Sequence, residues 1–79
     1  MPETTLMGLS MLIPKAGDIP AFGNVRVTHG MFNSEVQREL DATDTLFEDC
    51  IFYGLTLKNP RGCIRCISRP YPPSKQEQP

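Results

Sequence analysis

Apolar and polar residues alternate in short runs along this chain, and the longest such pattern lies in the C-terminal third. Residues 50–58 read CIFYGLTLK, Asn59-Pro60-Arg61-Gly62 interrupts them, and residues 63–69 read CIRCISR. Pro60 presets φ for the first central position of a type I turn. Asn59 suits the position before it, and Gly62 can adopt the left-handed conformation of a G1 bulge. The pattern predicts a β-hairpin. With Lys58 opposite Cys63, the facing pairs are Leu57 with Ile64, Thr56 with Arg65, Leu55 with Cys66, Gly54 with Ile67, Tyr53 with Ser68 and Phe52 with Arg69. Because side chains alternate between faces, Ile51, Tyr53, Leu55, Leu57, Ile64, Cys66 and Ser68 share a face that needs a core. Phe52, Thr56, Lys58, Cys63, Arg65, Ile67 and Arg69 share one that faces water or an acidic partner.

Upstream, residues 4–13 are apolar and β-compatible and read as a strand that Pro14 ends. Residues 15–23 hold Gly17, Pro20 and Gly23 and form a loop, whose Ile19 and Phe22 are expected to tuck under the sheet. Val25-Arg26-Val27-Thr28 alternates as a second strand. Ser34-Glu35-Val36-Gln37 fits a capping box, and Val36 and Leu40 then share a helical face, which predicts a short helix over residues 35–42. Residues 43–49 are an acidic connector containing Leu46 and Phe47. Residues 71–79 hold three prolines and no aliphatic side chain, the composition of a disordered tail. The predicted architecture is one α+β domain over residues 1–70: an antiparallel sheet of about four strands, in the order β-β-α-β-β, with one helix packed on it. No internal repeat is evident.

The chain has 79 residues, 39% of them apolar and 22% charged, a globular balance for one small domain. A domain this size buries only roughly 60–65% of its unfolded surface, so dimerisation, a metal or a partner can add needed stability. Net charge is −1, but unevenly placed. Glu35, Glu39, Asp41, Asp44, Glu48 and Asp49 stand against Arg38 in residues 30–50. Lys58, Arg61, Arg65, Arg69 and Lys75 stand against Glu77 thereafter. Such segregation makes either a bipolar binding surface or two segments that pair in the fold. The second is favoured, since the acidic stretch feeds directly into the basic one.

The cysteine count is odd, and no secretory signal precedes the cysteines. The apolar run at residues 6–13 is too short to span a bilayer and lacks a basic start and a cleavage site. Free thiols in a reducing, cytoplasmic compartment are expected. Cys63 and Cys66 could join Cys50 and His29 as a four-ligand zinc site. Against this, residues three apart in a strand point to opposite faces. Redox Cys-x-x-Cys pairs work at a helix N-terminus, and none is predicted there. His29 could activate a cysteine, but nothing in the spacing selects one. No acidic loop has calcium-binding spacing.

The reading is a small non-enzymatic regulatory or inhibitory protein, without cofactor, that binds a macromolecular partner, a protein in the first instance. Small proteins of this description are common among phage and mobile-element accessory factors, a statement about class that no residue carries. Phe52, Lys58, Arg61, Arg65 and Arg69 are the expected partner-binding residues, with Arg65 and Arg69 as anchors. Two alternatives stay open: a nucleic-acid-binding regulator using the same basic face, and a small zinc-stabilised domain. Homodimerisation through an edge strand also stays open.

Overall fold

A computed structural model of the protein describes residues 4–70. Its strands are short because residues with positive φ interrupt the β-favouring runs. In chain order they are β1 Thr4–Met7, β2 Ser10–Ile13, β3 Val25–Thr28, β4 Met31–Asp41, β5 Leu46–Glu48, β6 Ile51–Lys58, β7 Gly62–Ile64 and β8 Ile67–Arg69. The odd-numbered strands form one sheet, in the order β1-β3-β5-β7, and the even-numbered strands a second, β2-β4-β6-β8. Every strand pairing is parallel. The chain therefore winds as a β-solenoid. Each coil lays one strand in the first sheet, turns a corner, lays one in the second and returns by a loop.

The corners recur at equivalent places. Gly8, His29, Asp49 and Arg65 each separate a first-sheet strand from a second-sheet strand, with φ of 72°, 56°, 55° and 54°. The left-handed conformation costs a non-glycine residue roughly 1–2 kcal/mol, and regular hydrogen bonds between coils hold it here. The corner N–H of Gly8, His29 and Asp49 donates to the carbonyl of Thr28, Glu48 and Ile64, respectively, at 2.9–3.0 Å. Two residues past His29, Asp49 and Arg65, the N–H groups of Met31, Ile51 and Ile67 donate to the carbonyls of Leu9, Gly30 and Cys50 at 2.8–2.9 Å. Each corner is thus locked on both sides of its bend.

This architecture overturns the predicted α+β fold. The described residues contain no helix, and their one antiparallel contact is an isolated bridge between Thr43 and Pro60. The residues expected to form a helix lie mostly in β4. Val36 and Leu40 share a face in a strand as well as in a helix, since they are an even number apart. The exposure over residues 35–41 alternates accordingly. Ser34, read as a helix cap, instead hydrogen-bonds to both the N–H and the C=O of Val36, a local bend. A two-turn helix has little stability of its own, so packing between coils decides the conformation.

The predicted hairpin is overturned as well. Arg65 divides its return strand into β7 and β8, which belong to different sheets. β6 pairs β8 in parallel, Ile51 with Ile67. The single strand expected over residues 4–13 likewise splits at Gly8. The acidic connector contains β5. Val25–Thr28 is a strand as expected, and Ile19 and Phe22 pack against the core as expected. The tail expected at residues 71–79 lies outside the described residues.

The core fills the space between the sheets. Phe32, Phe47 and Phe52 are wholly buried. Phe32 and Phe52 are register partners stacked at 5.1 Å and 12°, and Phe47 meets both edge-on at 6.0 and 5.1 Å. Phe22 caps this group, edge-on to Phe32 and Phe47. Arg38 donates to the carbonyls of Pro14 and Gly17 at 2.9 and 2.6 Å and so fastens the loop that carries Phe22. A second bend lies at Gly54, φ 73°, where the β4–β6 register shifts between Asn33 and Arg38. The consecutive burial of Gly54 and Leu55 marks this break in alternation. No helix is long and apolar enough to cross a membrane among the described residues.

Candidate interaction surfaces and thiol cluster

The strand–corner–strand unit sorts side chains into columns, because partners in a parallel register point the same way. At the corner, His29, Asp49 and Arg65 stack on the exposed edge. Arg65 donates to both carboxylate oxygens of Asp49, at 2.7 and 3.0 Å, and His29 Nε2 lies 3.8 Å from Asp49 Oδ2. The hydrogen bonds from Arg65 hold the Asp49 carboxyl below the ordinary carboxylate range and push the Arg65 guanidinium up in turn. Arg26 pairs with Glu48 at 2.5 Å, and Asp41 stands in register with Lys58. The Asp41 carboxyl is lowered mainly by hydrogen bonds from the Thr43 hydroxyl and N–H. One ion pair, Asp49 with Arg65, therefore joins the acidic and basic segments across neighbouring coils, and Asp41 stands beside Lys58.

That pairing changes the basic surface read from the sequence. Phe52 is wholly buried, stacked on Phe32, and drops out of any surface. Arg65 is at the corner on Asp49. Arg69 is on β8 in register with Tyr53. Lys58 ends β6 beside Asp41, and Arg61 sits in the return before β7, its N–H donating to Thr45 C=O at 2.8 Å. These residues lie in separate parts of the coil, because the hairpin that would have aligned them does not form.

The outer face of the second sheet does present a contiguous surface. One outward column runs Ser10, Met31, Ile51, Ile67, and the next runs Leu12, Asn33, Tyr53, Arg69. Leu12, Met31 and Ile67 are 63%, 42% and 46% exposed. Sequence reasoning missed this strip because the coils differ in length. Ser10, Met31, Ile51 and Ile67 are equivalent only once the repeat is recognised. The signal was a residue able to take positive φ, followed two positions later by an apolar or hydroxyl side chain.

The thiols fall in the inward columns. Cys50 and Cys66 each follow a corner residue, and each thiol hydrogen-bonds to the carbonyl two residues back, Glu48 at 3.3 Å and Ile64 at 3.5 Å. Cys50 Sγ also reaches Val27 C=O at 3.5 Å. Cys63 stands in register with Phe47. Burial pushes the Cys50 and Cys63 thiols up, with neighbouring Cys66 adding to it. His29 lies on the exposed corner beside Asp49. Among the described residues no group of three or more His, Cys, Asp and Glu side chains is placed to hold a metal ion, so the zinc set weighed from the sequence is not assembled.

No family model, curated protein or solved structure matches this chain.

Proposed function

We propose that the protein is a small non-enzymatic binding module that docks a protein partner on the outer face of its second sheet. The supporting observation is the exposed apolar strip of Leu12, Met31 and Ile67 around Ile51 and Tyr53. A chain this small needs its apolar groups in the core, so a run of them on the outside of adjacent coils calls for a partner. Parallel strands sit about 4.8 Å apart, which makes the strip a continuous flat surface. Tyr53 and Arg69 at its margin are side chains enriched in interfaces. The matching partner surface is apolar with an acidic rim opposite Arg69. A cytoplasmic site of action fits the three free thiols.

The test is capture of the partner from lysate by the tagged chain, with and without nuclease. Replacing Met31 and Ile67 together by Asp is expected to abolish a stoichiometric, nuclease-resistant capture. Met7→Asp, on the outer face of the first sheet, is expected to leave it intact. Far-UV circular dichroism checks that each variant keeps its strands. Capture that survives the double substitution overturns the assignment of this face. Capture that vanishes with nuclease transfers the reading to nucleic acid.

A further inference from the structure

The last corner sets Cys66 beside both Cys63 and Cys50, thiols that the linear spacing kept apart. Arg65, φ 54°, turns the chain between Cys63 and Cys66, so the two need not face opposite ways. Cys63 stands in register with the wholly buried Phe47 and shares its inward side. Cys66 lies one coil beyond Cys50, since the next residue, Ile67, donates its N–H to Cys50 C=O at 2.9 Å. The Cys66 sulfur lies close enough to Cys50 and to Cys63 to raise both thiols, while its own hydrogen bond goes to Ile64 C=O. Access is graded along the cluster: Cys50 is buried, Cys66 half-buried and Cys63 exposed.

We propose that Cys63 and Cys66 form a thiol–disulfide exchange site for low-molecular-weight disulfides of the glutathione type, with Cys63 the entry thiol and Cys66 the resolving thiol. The deprotonated Cys63 sulfur attacks one sulfur of the small disulfide. The disulfide bond breaks, one thiolate leaves, and a mixed disulfide remains on Cys63. The deprotonated Cys66 sulfur then attacks the Cys63 sulfur and expels the second thiolate. The two cysteines lose two electrons and two protons; the small disulfide is reduced to two thiols. Cys50 stays outside the reaction, enclosed by the core and held by the Val27 and Glu48 carbonyls. The new bond closes a ring around Ile64 and Arg65 and so stiffens the corner that carries the Asp49–Arg65 pair. Partial desolvation and the neighbouring Cys66 push the Cys63 thiol up, which slows the exchange and favours a mildly alkaline assay.

The experiment incubates the folded, full-length chain with glutathione disulfide and reads intact mass and peptide maps. The wild type is expected to lose two hydrogen masses, retain no glutathione and map to a Cys63–Cys66 linkage. Cys66→Ser is expected to stop with one glutathione on Cys63, and Cys63→Ser to stay reduced over the same period. Circular dichroism verifies that both variants remain folded. The proposal is overturned by a linkage that includes Cys50, by glutathione retained on the wild type, by a disulfide between two chains, or by no reaction of the native protein. Oxidation of Cys63→Ser as fast as wild type also overturns it. The wild-type map tests the exclusion of Cys50 without substituting a buried residue.

Discussion

The middle coils and the last coil use one strand–corner–strand unit for different purposes. In the coils formed by β3 to β6, the inward positions hold Val27, Phe32, Phe47, Cys50 and Phe52, all wholly buried. In the coil of β7 and β8, the equivalent positions hold Cys63, Cys66 and Ser68, of which only Cys66 is even half-buried. Backbone conformation at the corner hardly differs, with φ of 55° at Asp49 and 54° at Arg65. The number of neighbours does differ. A middle coil pairs on both sides, whereas β7 and β8 pair on one side among the described residues. In a solenoid, stability is a sum of contacts between neighbouring coils. Large apolar side chains therefore gain most in the middle, and small polarisable or polar ones are tolerated at the end.

The largest test of this contrast is a pair of truncations in one inward column. Phe52 and Ser68 are register partners. Phe52→Ala removes the ring stacked on Phe32 and edge-on to Phe47 and is expected to cost about 3–5 kcal/mol, a large share of a small domain's stability. Ser68→Ala is expected to stay within about 0.5 kcal/mol. Urea unfolding of the two variants measures both. Equal losses would mean that the last coil carries as much of the fold as the middle.

A second pair probes space rather than removal. A Cβ on Gly30 would lie 2.7 Å from Phe32 Cε1 and 3.1 Å from its Cζ, inside the stacked ring group. Gly30→Ala must displace that ring and is expected to cost about 1–3 kcal/mol. A Cβ on Gly62, in β7, would meet the flexible tip of Leu46 at 2.9 Å, which can rotate away. Gly62→Ala is therefore expected to cost less than about 1 kcal/mol. Thermal melts of both variants read the difference, and a larger loss at Gly62 would reverse the proposed gradient.

The same contrast explains which parts of the fold were legible in the sequence. Local strand character was readable where alternation was clean, as at Val25–Thr28. The loop carrying Ile19 and Phe22 was readable from its glycines and prolines, and its packing from the shortage of other core residues. The corners were not legible. Gly8 was a weak signal inside an apolar run, and His29, Asp49 and Arg65 are residues whose usual conformation is right-handed or extended. Only hydrogen bonds to adjacent coils hold them left-handed, and those are long-range. Reading Arg65 as extended puts Cys63 and Cys66 on opposite faces, and carrying the alternation unbroken through Gly54 puts Phe52 on the surface. The Arg65 corner thus misplaces the thiols and Ile67, and the Gly54 bend misplaces Ile51 and Tyr53 of the apolar strip. The acidic-to-basic pairing was legible in one pair: Asp49 takes Arg65, whereas Glu48 takes Arg26, which precedes the acidic run.

Amide exchange compares the coils without any substitution. Ile51 donates to Gly30 C=O and Ile67 to Cys50 C=O, both at 2.9 Å. Equal bond lengths would suggest equal protection, but the energy of local opening follows the packing around a bond. Ile67 is expected to exchange on the order of tenfold or more faster than Ile51, once intrinsic rates are corrected for. Matching protection would show that the last coil opens only with the whole molecule.

The smallest expected effect lies at the seam between the two regions. Asp49 is the corner after the middle coil's first-sheet strand, and Arg65 of the last coil reaches back to it. The hydrogen bonds from Arg65 lower the folded-state pKa of Asp49. Its pairing therefore contributes stability above the unfolded carboxylate value, about 3.9, and loses it as pH falls through the folded value. The pair is exposed to solvent, so global stability changes little. The consequence is local: acidification below about pH 4 is expected to speed corrected exchange at Ile67 relative to Ile51. Asp49→Asn is expected to show that ratio already at neutral pH and to stay flat on acidification. If the variant keeps the wild-type ratio at neutral pH, the carboxylate does not tie the last coil down. The corner hydrogen bond from the Asp49 N–H to the Ile64 carbonyl would then be the connection that holds it.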